Sequence, residues 1–466
     1  MLPDDVLLEI FDHHRLAALD DSQFGTWEWH RLAHVCQRWR SIIFASPRRL
    51  DLRLVYTYRK PVRKTIDCWS ALPISIWYPR QVLYHPLPPS DEDNVIAALQ
   101  YPDRIREINL TLTRSLLAKL TPLMQDSFPV LESLQLGSRE MLEPLVLPSS
   151  FLGESTPGLR HLNLHHTAFP TLPRLLLSAT DLLSLRLYEI PNAGYFSPEA
   201  LVTGLGATPN LKFLEIYFPH SASSPGQDSP RPFPRATRAA LPALTEFQFR
   251  GDIEYLEDLV ARIDAPSVEQ FCATLFDQRM LFELRQLAQF IGRTEGLKSS
   301  PHRTSIWLWE RGFFITHYFG QPSPGGGVGA FQLQISCYEL AQQVTLLTRI
   351  CKQLSLLLSN VEQLDIEADP ALPNTWDETD TTQWLELLSP FSRVRKLELI
   401  GTLVTSIASA LGQSAGKLGR EVLPSLRDLH LRDTLISPPI ESSIAAIRLS
   451  GQTIAVHYGG EEDHEP

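Results

Sequence analysis

Gly412-Gln413-Ser414-Ala415-Gly416 has the G-x-S-x-G spacing of a nucleophile elbow. That chemistry needs a strand entering the serine and a helix leaving it, so that the hydroxyl stands on a strained turn. Here the periodicity predicts a helix over Leu403–Leu411, ahead of the serine, and Gly419 and Pro424 interrupt the segment after it. A serine hydrolase using Ser414 is therefore the most remote reading that the residues support. Gly325-Gly326-Gly327-Val328-Gly329-Ala330 fits the G-x-G-x-x-A form of a dinucleotide fingerprint. It comes after a Pro-Ser-Pro run and leads into a strand pattern, whereas a pyrophosphate site needs strand, turn and then helix N-terminus. A flexible turn is expected instead. His161, His165 and His166 are close in sequence, but alternate residues of a strand point to opposite faces, and no Cys, Asp or Glu stands at ligand spacing. Solvated strand histidines are expected, not a metal site. Asn109-Leu110-Thr111 is a glycosylation sequon, yet no charged-then-apolar leader precedes it. These patterns predict no cofactor and no catalytic group.

The elements that would position such residues follow a repeat. From about residue 100 the phrase L-x-x-L-x-L recurs, as Ile105/Ile108/Leu110, Leu131/Leu134/Leu136, Leu159/Leu162/Leu164, Leu182/Leu185/Leu187 and Leu211/Leu214/Leu216. It continues through Leu244/Phe247/Phe249 and Val268/Phe271/Ala273, then returns at Val361/Leu364/Ile366, Val394/Leu397/Leu399 and Leu426/Leu429/Leu431. Pro129, Pro157, Pro209, Pro242, Pro266 and Pro424 each stand two residues before a phrase. A proline there ends a helix and starts an extended segment without needing its missing N–H. Amphipathic helices are expected between phrases, at Ser115–Met124, Ser197–Leu205, Ile253–Ile263 and Leu403–Leu411, with Ser197 as N-cap and Pro198 at N1. No single strand–helix unit buries its apolar side alone; stacking the units in parallel does. A constant phrase at irregular spacing resembles a leucine-rich repeat with variable outer loops. The polar group that such repeats carry after the phrase is matched by Thr167, Thr402 and Thr434. A different α/β fold with a parallel sheet is the alternative.

The gap between Ala273 and Val361 reads differently. Thr304–Glu310, Phe313–Phe319 and Ala330–Ser336 look like strands, with a tight turn at Arg311-Gly312, and predict a β insertion in the array. Pro219–Arg238 and Gly320–Gly329 read as loops, Ser224-Pro225 and Ser229-Pro230 as chance pairs in such loops, and Glu461–Pro466 as an acidic tail. The expected organisation is a helical motif over 1–50, a linker with the first irregular repeats over 51–100, and repeats over 101–275. An insertion comes next over 276–358, then C-terminal repeats over 359–458 and the tail over 459–466.

At the N-terminus, Pro3 suits a first helical position and Asp4 and Asp5 suit the positive end of a helix dipole. Val6, Leu7, Ile10 and Phe11 form one apolar stripe, and a second helix over about Trp29–Ser46 carries Leu32, Val35, Cys36, Trp39 and Ile43. So small a unit cannot bury a core of its own and needs a partner or an adjacent domain. It could dock, or it could simply cap the array. Leu2-Pro3-x-x-Val6-Leu7-x-x-Ile10-Phe11, then Leu32-x-x-Val35-Cys36-x-x-Trp39-Arg40-x-Ile42, resembles the F-box motif. The resemblance implies binding to the Skp-family adaptor of a cullin-based ubiquitin ligase. Leu2, Pro3, Leu7, Ile10, Val35 and Trp39 fall where that family makes its contacts or packs its own helices. The expected fold class is α/β: an N-terminal all-α F-box, then a leucine-rich-repeat solenoid with a parallel sheet on its concave face, helices outside, and a β insertion.

Charge and composition limit the partners. With 53 acidic against 42 basic side chains, the net charge of -11 argues against nucleic acid or an anionic membrane. At 43% hydrophobic and 20% charged residues the chain should fold. The 36 prolines, above the usual ~5%, fit many short elements. Five cysteines without C-x-x-C spacing, no leader and no long apolar run predict a cytosolic or nuclear protein. The partner expected for the array is a protein substrate, ubiquitinated by other subunits. The alternative is a repeat scaffold without any ligase. Residues between the second and third apolar positions of each phrase, Gln135, Asn163, Arg186, Glu215, Gln248, Cys272, Asp365, Glu398 and His430, should face solvent. Tyr188 and Tyr217 share a repeat position, and with Arg186 and Phe213 beside them they are the expected partner-binding patch.

Overall fold

The structure is a computed structural model. It describes residues 2–21, 29–46, 54–56, 72–78, 89–138, 140, 143–219, 238–276, 283–298, 302–318, 331–337, 340–370, 372, 381–414, 422–432, 438–449 and 454–459. The glycine run 325–330, almost all of the two expected loops and the acidic tail lie outside the described residues. Two compact units divide the chain: Met1–Ser184 with Ala193–Tyr195, and Leu185–Asn192 with Phe196–Pro466.

The first unit opens with helices α1 (Asp4–Asp21), α2 (Trp29–Ala33) and α3 (Gln37–Ala45). The single helix expected over Trp29–Ser46 is broken in two. Cys36 is extended (φ -158, ψ 169), and its Sγ accepts the Trp39 N–H at 3.4 Å, so it caps α3. Five parallel strands come next, in spatial order β1 (Leu54–Tyr56), β2 (Ile74–Tyr78), β3 (Ile105–Leu112), β4 (Ser133–Ser138) and β5 (His161–His165).

In the second unit the strands are β6 (Ser184–Tyr188, from Leu185 onward), β7 (Phe213–Tyr217), β8 (Glu246–Asp252), β9 (Gln270–Phe276), β10 (Arg303–Trp309) and β11 (Gly312–Tyr318). After them come β12 (Phe331–Ser336), β13 (Gln363–Ala368), β14 (Lys396–Ile400), β15 (Asp428–Arg432) and β16 (Ala455–Gly459). Their order in space is β6-β7-β8-β9-β12-β11-β10-β13-β14-β15-β16. The predicted insertion is thus woven into the sheet. β12 lies parallel to β9, β11 runs antiparallel between β12 and β10, and β10 lies parallel to β13. The flanking helices Arg285–Arg293 and Leu340–Gln353 pack on the neighbouring repeat helices Ile253–Arg262 and Thr381–Leu388. The β10–β11 hairpin has no helix between its two strands. Its turn needs Gly312, at φ 153, because a Cβ there would collide with the Ile335 carbonyl.

Every apolar position of the ten phrases is buried; the most exposed, Leu426, reaches 8%. The prolines act in a turn, not merely as helix stops. Leu131, Leu159, Leu211, Leu244, Val268 and Leu426 each donate their N–H to the carbonyl three residues earlier, which makes the proline the second residue of that turn. Proline's fixed φ is preset for that place. Strand exits share a left-handed residue two positions after the last phrase residue: His166 (φ 49), Glu189 (φ 51) and Gly401 (φ 82). Thr167 and Thr402 come directly after. The Pro198–Leu205 helix begins as expected, with Ser197 Oγ accepting the Ala200 N–H at 3.2 Å. Among the described residues no helix is long and apolar enough to cross a membrane.

One helix start is capped from outside. Leu284, the N-cap of Arg285–Arg293, supplies no side-chain bond, and the Glu257 carboxylate on the adjacent helix accepts the N–H groups of Gln286 (2.7 Å) and Leu287 (2.8 Å) instead. Burial outweighs these donors and pushes the Glu257 carboxyl up from 4.5 to about 7. The folded chain then holds this proton more tightly than the unfolded one, so the group's contribution is full below its unfolded value and is lost as pH rises through about 7. Urea titrations at pH 5 and pH 8 should show a loss on the order of 3 kcal/mol from this group. Glu257→Gln, an uncharged mimic of the protonated form, should flatten that slope; an unchanged slope would rule Glu257 out as its source.

Candidate functional site

The N-terminal helices separate the six residues singled out there into two roles. Leu7 (4% exposed), Leu8 and Phe11 point inward with Ile42 and Ile43, and the Phe11 and Trp39 rings meet edge to face at 4.9 Å. Arg38 ties α3 to the start of α1 through the Leu2 carbonyl and the Asp4 carboxylate. Leu7 and Trp39 are therefore packing residues. Leu2 (51%), Val6 (40%), Ile10 (44%) and Val35 (59%) are exposed, as is Pro3. This corrects the single stripe: Leu7 and Phe11 face the core, whereas Val6 and Ile10 face out. Both pairs have the same i, i+4 spacing, so periodicity could not separate them. Exposed apolar side chains grouped at one helical motif are what a docking surface needs.

In the second unit the expected partner patch comes together. The Arg186 guanidinium lies 4.2 Å from the Phe213 ring centroid, and the Tyr188 and Tyr217 rings meet edge to face at 5.2 Å. Tyr188 donates its hydroxyl proton to Glu215, Tyr217 donates to Gln248 at 3.0 Å, and Arg186 stands 3.8 Å from Glu215. Burial, reinforced by the Glu215 charge, pushes both phenols up, so they remain neutral donors. These mutual contacts hold the four side chains in one fixed arrangement.

The row containing Glu215 is less solvated than its alternation predicts. Glu215, Asp365 and Glu398 are 4%, 4% and 6% exposed, each covered by cations: Arg186 on Glu215, Arg303 on Asp365, and Lys396 with Arg432 on Glu398. Long basic side chains from the same or adjacent strands fold over the acids and close them off. Three rings whose grouping sequence reading missed, Trp307, Trp309 and Phe314, stack on the β10–β11 hairpin. The signal was present in the Trp-x-Trp alternation, but only the hairpin register brings Phe314 to them.

The elbow geometry is not met at Ser414. Val404–Ser414 is one helix, so the serine closes a helix where a hydrolase would need a strand. Gly412 has a packing reason, since a Cβ there would lie 2.8 Å from Ser443 Cα of the next helix. Of the three histidines, His161 is exposed, His165 half-buried and His166 buried, which corrects the expectation of a solvated set. Among the described residues no group of three or more His, Cys, Asp or Glu side chains could hold a metal ion.

Residues 1–52 match the family model described as F-box-like. Comparison with curated proteins gives no match. Among solved structures, an internalin from Listeria monocytogenes aligns at 14% identity and TM-score 0.31, over 79% of this chain and 83% of its own. The leucine-rich repeat-containing protein LegL7 from Legionella pneumophila aligns at 14% identity and TM-score 0.29, over 86% of this chain and 98% of its own.

Proposed function

We propose that this chain is the substrate-recognition subunit of a cullin-based ubiquitin ligase. Its F-box-like helices dock on a Skp-family adaptor, and its repeat array holds a protein substrate in the cytosol or nucleus. The observation that carries the reading is the group Leu2, Val6, Ile10 and Val35, all 40% exposed or more, within the residues that match the F-box-like family. In this role the chain needs no cofactor and no catalytic group. Tethering raises the concentration of substrate beside the transfer enzyme, and other subunits do the chemistry.

Capture of a purified Skp-family adaptor, and of the cullin through it, tests the docking half. A folded chain that captures neither would sink it. Arg186, Tyr188, Phe213 and Tyr217 are the proposed substrate contacts. Replacing all four by Ala should abolish substrate ubiquitination in the reconstituted ligase, since such truncations often cost about 2 kcal/mol or more each. Adaptor capture should be unchanged. Normal ubiquitination by that variant would place the substrate elsewhere on the array.

A further inference from the structure

The outward face of the second unit's sheet matches arginines with carboxylates of the same face. Arg186 meets Glu215, Arg303 meets Asp365, and Arg432 meets Glu398. Two of these cations also lie over a ring: Arg186 stands 4.2 Å from the Phe213 centroid and Arg303 5.7 Å from that of Tyr318. Arg250, on β8, has only half of this arrangement. Its guanidinium carbon lies 5.5 Å from the Phe276 centroid, but among the described residues it has no carboxylate partner. Its side chain makes no hydrogen bond there either, and its Nε is closed off from solvent. Half-buried charge is costly unless it is paired, so this one needs a reason.

Two carboxylates stand one row to either side of Arg250, and neither fills the gap. Glu215, level with Gln248, is taken by Arg186 and by the Tyr188 hydroxyl. Asp252, two residues on along β8, has its carboxyl pushed up by burial and by the Glu254 charge, with no cation drawing it down. The surrounding side chains supply donors instead. Arg250 is level with Thr274 of β9, and Thr274 with Gln334 of β12. Thr274 donates its hydroxyl proton to Gln334 Oε1 at 3.2 Å, and Tyr217 donates to Gln248 Oε1 at 3.0 Å. With both oxygens engaged, the amide nitrogens of Gln248 and Gln334 remain as donors. Adjacent strands lie about 4.8 Å apart, so the guanidinium and these amides share one patch roughly 10 Å across. The patch lacks an acceptor, and a carboxylate is the acceptor that the neighbouring arginines use. At -11 the chain repels a polyanion over distance, which favours a single carboxylate in an otherwise uncharged segment. A phosphate would bring nearly twice the charge against the same repulsion.

We propose that Arg250, backed by Phe276 and flanked by Gln248 and Gln334, takes one Asp or Glu carboxylate from an extended segment of a protein partner. The site continues the contacts proposed at Tyr217, which is level with Arg250, and so rests on the array as the partner-binding element. Only the identification of that partner as a ligase substrate rests on the proposed ligase function. The test uses the full chain and fluorescein-labelled Gly-Ser-Thr-Glu-Thr-Ser-Gly, with its glutamine counterpart as the neutral isostere, read by fluorescence anisotropy. The glutamate peptide should bind about tenfold tighter than the glutamine peptide. Arg250→Gln should erase that preference. Arg250→Lys, which keeps the charge but loses the planar fork, should retain a reduced one. Arg250 has no ion pair to lose, so both variants should keep the melting curve of the parent chain. Equal affinities, no binding of either peptide, or a preference unmoved by Arg250→Gln overturns the proposal. So does binding confined to the phosphoserine counterpart, which would make the patch a phosphate site. Collapse of the melting curve in both variants would make Arg250 a packing residue and overturn it as well. An Arg250-dependent glutamate preference in a chain that captures no adaptor would defeat the ligase reading and leave this one standing. Adaptor capture by a chain with no such preference would do the reverse.

Discussion

Ile10→Asp combined with Val35→Asp should abolish adaptor capture while the chain stays folded. Both side chains are exposed, at 44% and 59%, so each substitution should change stability by no more than about 0.5 kcal/mol. At a docked surface each would instead remove an apolar contact and bury a carboxylate. Losses of about 2 kcal/mol or more per residue are usual for central interface positions. Together they amount to roughly a thousandfold in affinity. Leu7→Ala and Trp39→Ala make the informative contrast. Leu7 is 4% exposed and Trp39 lies against Phe11, so these changes should cost about 2–4 kcal/mol in packing and lose capture by loosening the motif. Adaptor capture and a melting curve measured on the same samples separate the two causes. Normal capture by a folded Ile10→Asp/Val35→Asp chain would mean that these helices do not dock through this face.

That distinction marks how far the sequence could be read at this site. The Leu-Pro start and the Val35-Cys36-x-x-Trp39 segment identify the motif, but side-chain direction depends on where α2 ends and α3 begins. Cys36 decides that by capping α3 through its sulfur, and cysteine is not among the residues that announce an N-cap. The Arg186, Tyr188, Phe213 and Tyr217 grouping was legible because it depends on repeat register alone, and the phrase fixes the register. The burial of Glu215, Asp365 and Glu398 was not legible. It depends on long Arg and Lys side chains folding across the acids, and a period-two pattern does not encode that.

The same division holds for the fold. The second and third apolar residues of each phrase lie in the core because inward direction alternates along a strand. The first, an odd three residues before the second, comes inward at the turn ahead of the strand in nine of the ten phrases. The hairpin Arg303–Tyr318 was legible as strands, from alternation and from Arg311-Gly312. Its place in the sheet was not, because strand order is a long-range property. The chain passes from β9 to β10, three places away in the sheet, and fills the intervening places with β11 and β12 on its return. Local patterns cannot distinguish that path from a separate lobe.

The point where this path begins should be the most sensitive in the second unit. Phe271 on β9 is 1% exposed and touches rings from three different elements. It stacks on Phe331 of β12 at 5.7 Å and meets Phe247 of β8 edge to face at 5.4 Å. Its centroid lies 6.1 Å from Phe290 of the Arg285–Arg293 helix. A cavity there cannot close by relaxing one neighbour, because its walls are two flanking parallel strands, β8 and β12, and the Arg285–Arg293 helix. Phe271→Ala should therefore fall at the upper end of the range for such truncations, about 3–5 kcal/mol, with the lost ring pairs included. Phe271→Leu keeps most of the volume and should cost under about 1.5 kcal/mol. Urea unfolding monitored by tryptophan emission reports the difference. Hydrogen exchange in the Ala variant should speed first at the β9–β12 pairing, from Phe271–Phe331 to Phe276–Ser336. Equal costs for Ala and Leu would show that the rings do not interlock, and that β12 is held to β9 by the backbone ladder alone.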